Sequence, residues 1–117
     1  MKYPVISVVT ICYNSVNTLE ETIKSVVEQK YPYIDYVIID GGSTDGTLDI
    51  IEQYKEHLGY FCSEPDKGIS DAFNKGIFHA KGDLIVIINS EDILLPTALE
   101  VVAKFYEPEV DVSRGNE

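Results

Sequence analysis

Two adjacent acidic residues, Glu91 and Asp92, follow a run of branched apolar residues from Leu84 to Ile88. Such a run predicts a strand that is buried on both faces of a parallel sheet. Ligands of open α/β sheets bind outside the carboxyl ends of the strands, so the acidic pair could hold Mn²⁺ or Mg²⁺ against a phosphate. The alternative is that both acids are turn residues before a helix that begins near Pro96.

Composition limits the classes of protein to consider. The chain has 117 residues, a net charge of −11 at pH 7 and 44% hydrophobic residues, which suits one soluble domain. The negative charge argues against a nucleic-acid partner, because sequence-independent binding to DNA or RNA needs basic patches. Cys12 and Cys62 lie in strand-like runs and are expected to be buried thiols in a cytoplasmic protein.

Apolar patterns predict alternating strands and helices along the rest of the chain. Strands are expected at 5–11, 35–40, 60–63 and 84–88, and a further one is expected to start at 110–112. The first helix is expected to have Asn17 as its N-cap and to run to about Gln29. A later helix has Gly82 as the residue that ends it. Its apolar stripe comprises Ile69, Ala72, Phe73, Gly76, Ile77 and Ala80.

The short connections predict right-handed βαβ units, and hence a mostly parallel sheet of order 3-2-1-4 with helices on both faces. The ligand crevice would lie between strands one and four. Tyr13 and Asn14 would line one wall and residues 89–92 the other, with Asp40 emerging beside them. Neither a Gly-x-Gly-x-x-Gly motif nor a Walker-type Gly-Lys-Ser/Thr motif is present. Neutralising a phosphate would therefore fall to a metal on the acids, helped by Lys67.

Four motifs resemble those of family 2 glycosyltransferases, in the same order and spacing and over nearly the whole chain. They are SVVTICYN at 7–14, DGGSTDGT at 40–47, the segment from EPDKGI to NKGI at 64–77, and the segment from GD to NSED at 82–92. The resemblance implies the Rossmann-like GT-A fold of nucleotide-diphospho-sugar transferases. It also implies inverting transfer of a sugar from a nucleotide donor, usually a UDP-sugar, to a hydroxyl of a carbohydrate or glycolipid acceptor. Mn²⁺ or Mg²⁺ would lie on the diphosphate.

The resemblance further implies roles for individual residues. Tyr13 would stack on the uracil, Asp40 would hydrogen-bond the base, and Asp92 would be the principal metal ligand. Lys67 and Asp71 would flank the base and the diphosphate. Glu91 stands where relatives commonly have Asp, and its longer side chain would contact the metal, a metal-bound water or the ribose.

Several other polar residues have a structural interpretation beside the functional one. Ser43 and Asp45 are expected to cap the loop and the helix after it. Asn74 and Gly76 are expected to be packing and turn residues, and His57 and His79 to lie at the surface.

The length of the chain bears on catalysis. An inverting transfer needs a general base to deprotonate the acceptor. In this family the base lies downstream in the acceptor half, and Glu109, Asp111 and Glu117 come too early to match it. Residues 1–117 are therefore expected to form a truncated single domain, the donor nucleotide-binding half, which lacks the base and is inactive alone. In the family's usual setting the full-length enzyme lies at the inner face of a membrane and serves polysaccharide assembly.

Two other functions remain open. The first is a nucleotide-binding module of the same fold without transferase activity. The second is a nucleotidyltransferase, which would need a Gly-rich basic loop after the first strand. Whatever its function, a truncated domain would expose apolar surface and strand edges, so self-association or modest stability is expected.

Overall fold

The computed structural model describes residues 3–65 and 67–106 of the chain. Strands and helices alternate along these residues, as the sequence predicts. The elements are β1 (Ile6–Cys12), α1 (Leu19–Val27), β2 (Ile34–Asp40), α2 (Thr47–Gln53), a 3-10 helix (Lys55–His57), β3 (Tyr60–Ser63), α3 (Ile69–His79), β4 (Leu84–Asn89) and α4 (Ala98–Lys104). The strand predicted at 110–112 lies outside the described residues. No described helix is long and apolar enough to cross a membrane.

The four strands form one parallel sheet in the predicted order, β3-β2-β1-β4. Cys12 at the end of β1 lies opposite Asp40 at the end of β2, and Ile11 lies opposite Asn89 at the end of β4. The carboxyl ends of these three strands therefore meet at one edge of the sheet. The turns that follow them emerge side by side.

The two faces of the sheet are covered unequally. One face carries α1, α2 and α4, and its core includes Leu19, Ile23, Val26, Ile51 and Leu99. On the other face α3 packs against β1 and β2, with Ala72 buried among Val9, Val37 and Ile39. This unequal coverage explains why the prediction for β4, described next, is wrong.

The prediction that β4 is buried on both faces is wrong. Ile85 and Ile87 are 42% and 38% exposed, whereas Ile88 on the opposite face is buried. β4 is the outer strand of the described sheet, and α3 lies over β1 and β2 instead. A branched apolar run therefore indicates a strand here without showing that both faces are covered.

Two predicted helix starts are too early, by one residue for the first helix and by two for the last. The first helix begins at Leu19 with Thr18 as its N-cap, rather than with Asn17. The backbone N–H groups of Thr18 and Leu19 donate to the carbonyl oxygen of Ser15, so the turn itself supplies their hydrogen-bond partners. The last helix begins at Ala98, after Thr97, and not at Pro96.

The predicted apolar stripe of α3 is only partly buried. Ile69 and Ile77 are 59% and 45% exposed. The inward contact is made by small residues, since Ala72 and Gly76 are the buried positions of this helix. The helix axis therefore lies close to the sheet.

Gly82 does not end α3, which stops at His79 with Ala80 as its C-cap. Its backbone N–H donates to Ser7 Oγ at 2.7 Å. A Cβ atom on Gly82 would lie 2.6 Å from the carbonyl oxygen of Val5. The glycine is thus needed for close approach to the start of β1, a requirement that no local pattern reveals.

We expect Gly76→Ala to lower the free energy of unfolding by about 1–3 kcal/mol. A Cβ atom there would lie 2.4 Å from Val9 Cγ1, and Val9 is fully buried. This overlap outweighs the gain of about 1 kcal/mol in helix propensity. Urea denaturation measures the change. Asn74→Ala, at an exposed position of the same helix, is the control and should not destabilise.

Val9→Ala removes the overlapping methyl group, so the Gly76→Ala/Val9→Ala double variant should be more stable than the two single effects predict together. Strictly additive effects would show that the close approach is not what makes Gly76 necessary.

We expect the protein to self-associate through the face that carries Ile85 and Ile87, because half-exposed branched residues lie there beside the outer strand. Light scattering over a concentration series measures the effect. Replacing both isoleucines by lysine should shift the population toward monomer. The control is Val101→Lys, at an exposed position of α4, which should leave the association unchanged. A wild-type protein that stays monomeric at high concentration would contradict the prediction.

Candidate functional site

A cleft of about 700 Å³ opens at the carboxyl edge of the sheet, between the ends of β1 and β4. The predicted walls are confirmed, since Tyr13 and Asn14 line one side and residues 89–92 line the other. The N-terminal end of α3 borders the cleft as well, although the residues that line it are not the predicted Lys67 and Asp71. Its contribution consists of Gly68, Ile69 and Ala72.

The wall formed by the turn after β1 presents an aromatic ring. Tyr13 is 61% exposed and lines the cleft. Its backbone is held locally, because its N–H donates to Ser15 Oγ at 3.3 Å. An exposed flat ring on a fixed turn can stack against a planar ligand. The predicted contact with a base remains a prediction.

The opposite wall is an acidic turn that closes on itself. The N–H of Asn89 donates to Asp92 Oδ2 at 2.8 Å, and the N–H of Asp92 donates to the carbonyl oxygen of Asn89 at 3.0 Å. Glu91 and Asp92 are both exposed to the cleft. Asp92 therefore has the turn role that was the structural alternative, and this role leaves the carboxylate at the cleft surface.

The two carboxylates of the acidic turn suit a cation that binds together with a phosphate-containing ligand. Among the described residues, no group of three His, Cys, Asp or Glu side chains could hold a metal ion alone. Mg²⁺ characteristically uses one or two carboxylates together with substrate phosphate oxygens, rather than an all-protein cage. Glu91 and Asp92 fit that arrangement.

Asp40 does not emerge at the cleft, which corrects the sequence prediction. Its side chain is fully buried at 0% exposure. The carboxylate accepts hydrogen bonds at Oδ1 from Ser43 Oγ at 2.6 Å and from Cys12 Sγ at 3.3 Å. Oδ2 accepts from the N–H groups of Gly42 and Ser43, at 3.0 and 2.8 Å, and from Ser63 Oγ at 2.8 Å. Because the loop after β2 folds over the carboxylate, the side chain shapes that loop, and its predicted hydrogen bond to a base stays a prediction.

These hydrogen bonds decide the ionisation of Asp40. Burial by itself raises the pKa of the carboxyl group, but the bonds from Ser43, Ser63 and Cys12 together outweigh it and hold the pKa below its usual range. Burial, followed by the nearby charge of Asp40, raises the pKa of the Cys12 thiol far above its ordinary value. Cys12 is consequently a protonated donor, and both cysteines are free thiols.

Lys67 and Asp71 lie beside the cleft without being among the residues that line it. Asp71 Oδ2 accepts from the N–H of Lys67 at 3.0 Å and lies 3.6 Å from Lys75 Nζ. The Lys67 N–H is the main cause that keeps the pKa of Asp71 below its ordinary value, and the charge of Lys75 adds to it. Asp71 therefore orders the start of α3. Contacts of Lys67 and Asp71 with a base or diphosphate stay predictions.

The turn after β1 is fastened to the loop after β2. Asn14 has a left-handed backbone with φ of 47°, a conformation that Asn tolerates better than most residues. Its N–H donates to Ser43 Oγ at 2.7 Å, and its Oδ1 accepts from the N–H of Thr44 at 2.8 Å. Asp45 accepts from the N–H of Thr47 at 3.0 Å. Ser43 and Asp45 thus hold the loop and the start of α2, in agreement with the structural interpretation.

The sequence reasoning missed Ser15 and Ser90. Their Oγ atoms lie 2.7 Å apart, and this contact joins the two walls of the cleft. The two residues are 75 positions apart in the chain, so no local pattern pairs them. The predicted pairing of β1 with β4 brings their turns together but does not show which side chains meet there.

The predictions for the remaining polar positions agree with the structure only in part. Gly76 is buried, as expected for a packing residue, but Gly76 and the exposed Asn74 both lie within α3 and not in a turn. His57 is exposed, but His79 is half-buried and its ring stacks on Tyr60 with the centroids 3.7 Å apart. The surface assignment of His79 therefore holds only in part, because α3 brings its last turn against Tyr60 of β3.

Comparisons of the sequence point to one family. The model described as glycosyl transferase family 2 matches residues 7–116. An uncharacterized glycosyltransferase of Mycobacterium tuberculosis is 42% identical over 90 residues, which are 76% of this chain and 34% of that protein. TuaG of Bacillus subtilis, a putative teichuronic acid biosynthesis glycosyltransferase, is 35% identical over 105 residues, 87% of this chain and 42% of TuaG. The chain therefore spans less than half the length of these relatives.

Solved structures are similar over most of the chain. Residues 1–349 of Staphylococcus aureus TarS, in complex with UDP-GlcNAc, have a TM-score of 0.78 at 28% identity, covering 86% of this chain and 30% of that TarS chain. A mannosyltransferase from Pyrobaculum calidifontis, in complex with GDP-Man and Mn²⁺, has a TM-score of 0.76 at 26% identity. That match covers 88% of this chain and 32% of the mannosyltransferase.

We expect Asp40→Asn to lower the free energy of unfolding by roughly 3 kcal/mol at neutral pH, because the amide nitrogen would face groups that are themselves donors. The substitution should also weaken the acid dependence of stability. The pKa of Asp40 is lower in the folded than in the unfolded state. Its contribution is therefore present above the unfolded pKa of about 3.9 and is lost as the pH falls through the folded pKa.

Urea denaturation at neutral pH and along a series from about pH 5 to pH 2 tests both parts. Asp49→Asn, at an exposed position of α2, is the control and should leave stability and its pH dependence nearly unchanged. If Asp40→Asn matches this control, the carboxylate does not organise the loops.

Proposed function

The chain belongs to glycosyl transferase family 2, and on that premise we propose that it forms the donor-binding part of an inverting, metal-assisted enzyme. The enzyme would transfer a sugar from a nucleoside diphosphate, in the first place a UDP-sugar, to an acceptor hydroxyl. The parallel sheet with helices on both faces is the α/β GT-A fold predicted from the sequence. Since the chain covers 34% and 42% of two curated relatives, the activity of the whole protein is part of the proposal.

The observation that carries the proposal is the pairing of two unlike walls across one cleft. An exposed aromatic ring at Tyr13 faces the carboxylates of Glu91 and Asp92 from the end of the neighbouring strand. A planar base needs an apolar face, and a diphosphate needs positive charge. A nucleoside diphosphate carries these two parts a few bonds apart, which suits walls built on adjacent strands.

The charge of the cleft makes a metal necessary in this proposal. Asp92, with Glu91 beside it, would hold Mn²⁺ or Mg²⁺, and the ion would neutralise the diphosphate as the bond to the sugar breaks. Asp92 accepts one backbone N–H at Oδ2, and a carboxylate has about four lone-pair sites, so this bond does not prevent ligation. The cleft lining includes no Lys or Arg among the described residues.

The other predicted residues have supporting roles in this proposal. Lys67 is exposed at the start of α3, where its side chain could approach the diphosphate from beside the cleft. Asp71 orders the backbone of Lys67. Asp40 acts through the loop that it holds against Asn14, and any contact with the base would require that buried carboxylate to release a donor.

Two findings support the choice of donor and acceptor. TarS binds UDP-GlcNAc in the matching structure, and the Pyrobaculum enzyme binds GDP-Man with Mn²⁺. The name of TuaG refers to teichuronic acid biosynthesis, which supports a carbohydrate or glycolipid acceptor. The general base is assigned to no residue of this chain. The setting that accompanies the resemblance is the cytoplasmic face of a membrane.

We expect UDP and Mn²⁺ together to raise the melting temperature, because both walls are then engaged. Ligand at about a hundredfold over its Kd adds roughly 2.7 kcal/mol, or on the order of 10 °C for a domain of this size. Differential scanning fluorimetry with UDP, GDP and Mn²⁺, alone and combined, measures the shift. No shift with any nucleotide from a folded protein would overturn the proposed donor site.

Two variants test the walls separately. Asp92→Asn keeps an oxygen that can accept the Asn89 N–H but loses the charge, so the Mn²⁺-dependent part of the shift should vanish. Tyr13→Ala should reduce the shift for UDP while leaving a shift with pyrophosphate and Mn²⁺ intact. Tyr33→Ala, an exposed tyrosine just before β2, is the matched control and should not alter the UDP shift.

A further inference from the structure

We propose that Ser90 is a positioning residue of the donor site, which acts through Ser15 to hold the acidic turn at a fixed distance from the Tyr13 turn. The base and the diphosphate of one ligand would then bind both walls without distortion. This inference rests on the proposed function and extends it to two residues that touch neither the base nor the metal.

The first observation is a direct contact across the cleft. Ser15 Oγ and Ser90 Oγ are 2.7 Å apart, which is ordinary for a hydrogen bond between hydroxyls. Ser15 Oγ also accepts from the N–H of Tyr13 at 3.3 Å. The hydroxyl of Ser15 is therefore bonded to both walls, one at the backbone of Tyr13 and one at Ser90.

The second observation is that each serine is anchored from behind. The N–H of Ser15 donates to Thr47 Oγ1 at 2.8 Å, which ties it to the start of α2. The carbonyl oxygen of Ser90 accepts from Thr22 Oγ1 at 2.9 Å, and Thr22 is fully buried in α1. Because both partners are held by packed helices, the bond between the serines transmits a defined spacing.

The third observation concerns what the acidic turn lacks without this bond. The two hydrogen bonds between Asn89 and Asp92 define the shape of the turn, but they lie within it and do not set its distance from Tyr13. Ser90 lies in the middle of the turn and is buried, with an exposed fraction of 9%. It is thus the point at which the turn is attached to the opposite wall.

The test compares two ligands in the presence of saturating Mn²⁺. Pyrophosphate engages the acidic turn alone, whereas UDP engages both walls. Isothermal titration calorimetry gives both Kd values. The Kd of pyrophosphate divided by the Kd of UDP reports how much the Tyr13 wall adds to binding. We expect Ser15→Ala and Ser90→Ala each to lower this ratio about fivefold, the factor that corresponds to one hydrogen bond of ordinary strength. The double variant should lose no more than Ser15→Ala alone, because that substitution already removes the bond to Ser90.

The control separates positioning from stability. Ser25 Oγ accepts from the N–H of Leu94 at 3.1 Å and donates to the carbonyl oxygen of Thr22 at 2.7 Å, so it ties the chain after the acidic turn to α1 without bridging the walls. Ser25→Ala should lower the melting temperature and leave the ratio unchanged. If Ser90→Ala were too unstable to measure, Ser15→Ala, at a half-buried position, would carry the same test.

The outcomes are distinct. If both serine variants keep the wild-type ratio, the inference is overturned and the proposed function is left intact. Additive losses in the double variant overturn it as well, because the two serines would then act independently. A wild-type protein that binds neither UDP nor pyrophosphate with Mn²⁺ overturns the proposed function and the inference together.

Discussion

A buried carboxylate must be surrounded by hydrogen-bond donors, and Asp40 imposes that requirement on the end of the sheet. The donors come from the end of β1, the loop after β2 and the end of β3. Leaving such a charge unpaired would cost several kcal/mol, so these segments must close around it whenever the domain is folded. The loop geometry near the cleft is therefore a by-product of satisfying one charge.

The hydrogen bonds around Asp40 continue to the neighbouring turns along the carboxyl edge of the sheet. Ser43 bonds Asp40 on one side and the backbone of Asn14 on the other, which fixes the turn that carries Tyr13. The same turn reaches the acidic wall through the Ser15 hydroxyl. Short polar side chains thus form a line across three neighbouring strand ends. Apolar packing on the two sheet faces supplies the rigid base beneath them.

Much of this architecture could be predicted from local patterns, and its exceptions have physical reasons. Branched apolar runs and short connections identified the strands, their order and the two walls of the cleft. Patterns of this kind report what a segment favours by itself, so they misjudged positions that depend on distant partners. Asp40 looked like an exposed strand end because two of its donors, Cys12 and Ser63, lie on other strands. Gly82 looked like a helix terminator, although the constraint on it comes from the backbone of Val5.

The pairing of β1 with β4 also sets how the site can change in evolution. Paired strands lie about 4.8 Å apart, and that spacing is imposed by backbone hydrogen bonds rather than by side chains. The points from which the two walls start are consequently inherited with the sheet, and the contact between Ser15 and Ser90 completes the spacing beyond the strand ends. In the proposed donor site, substitutions at Tyr13 or Glu91 would alter which base or sugar is held without changing the strand pairing that separates the two walls. New donor preferences would therefore arise at the tips of the turns, while the framework that separates them stays the same.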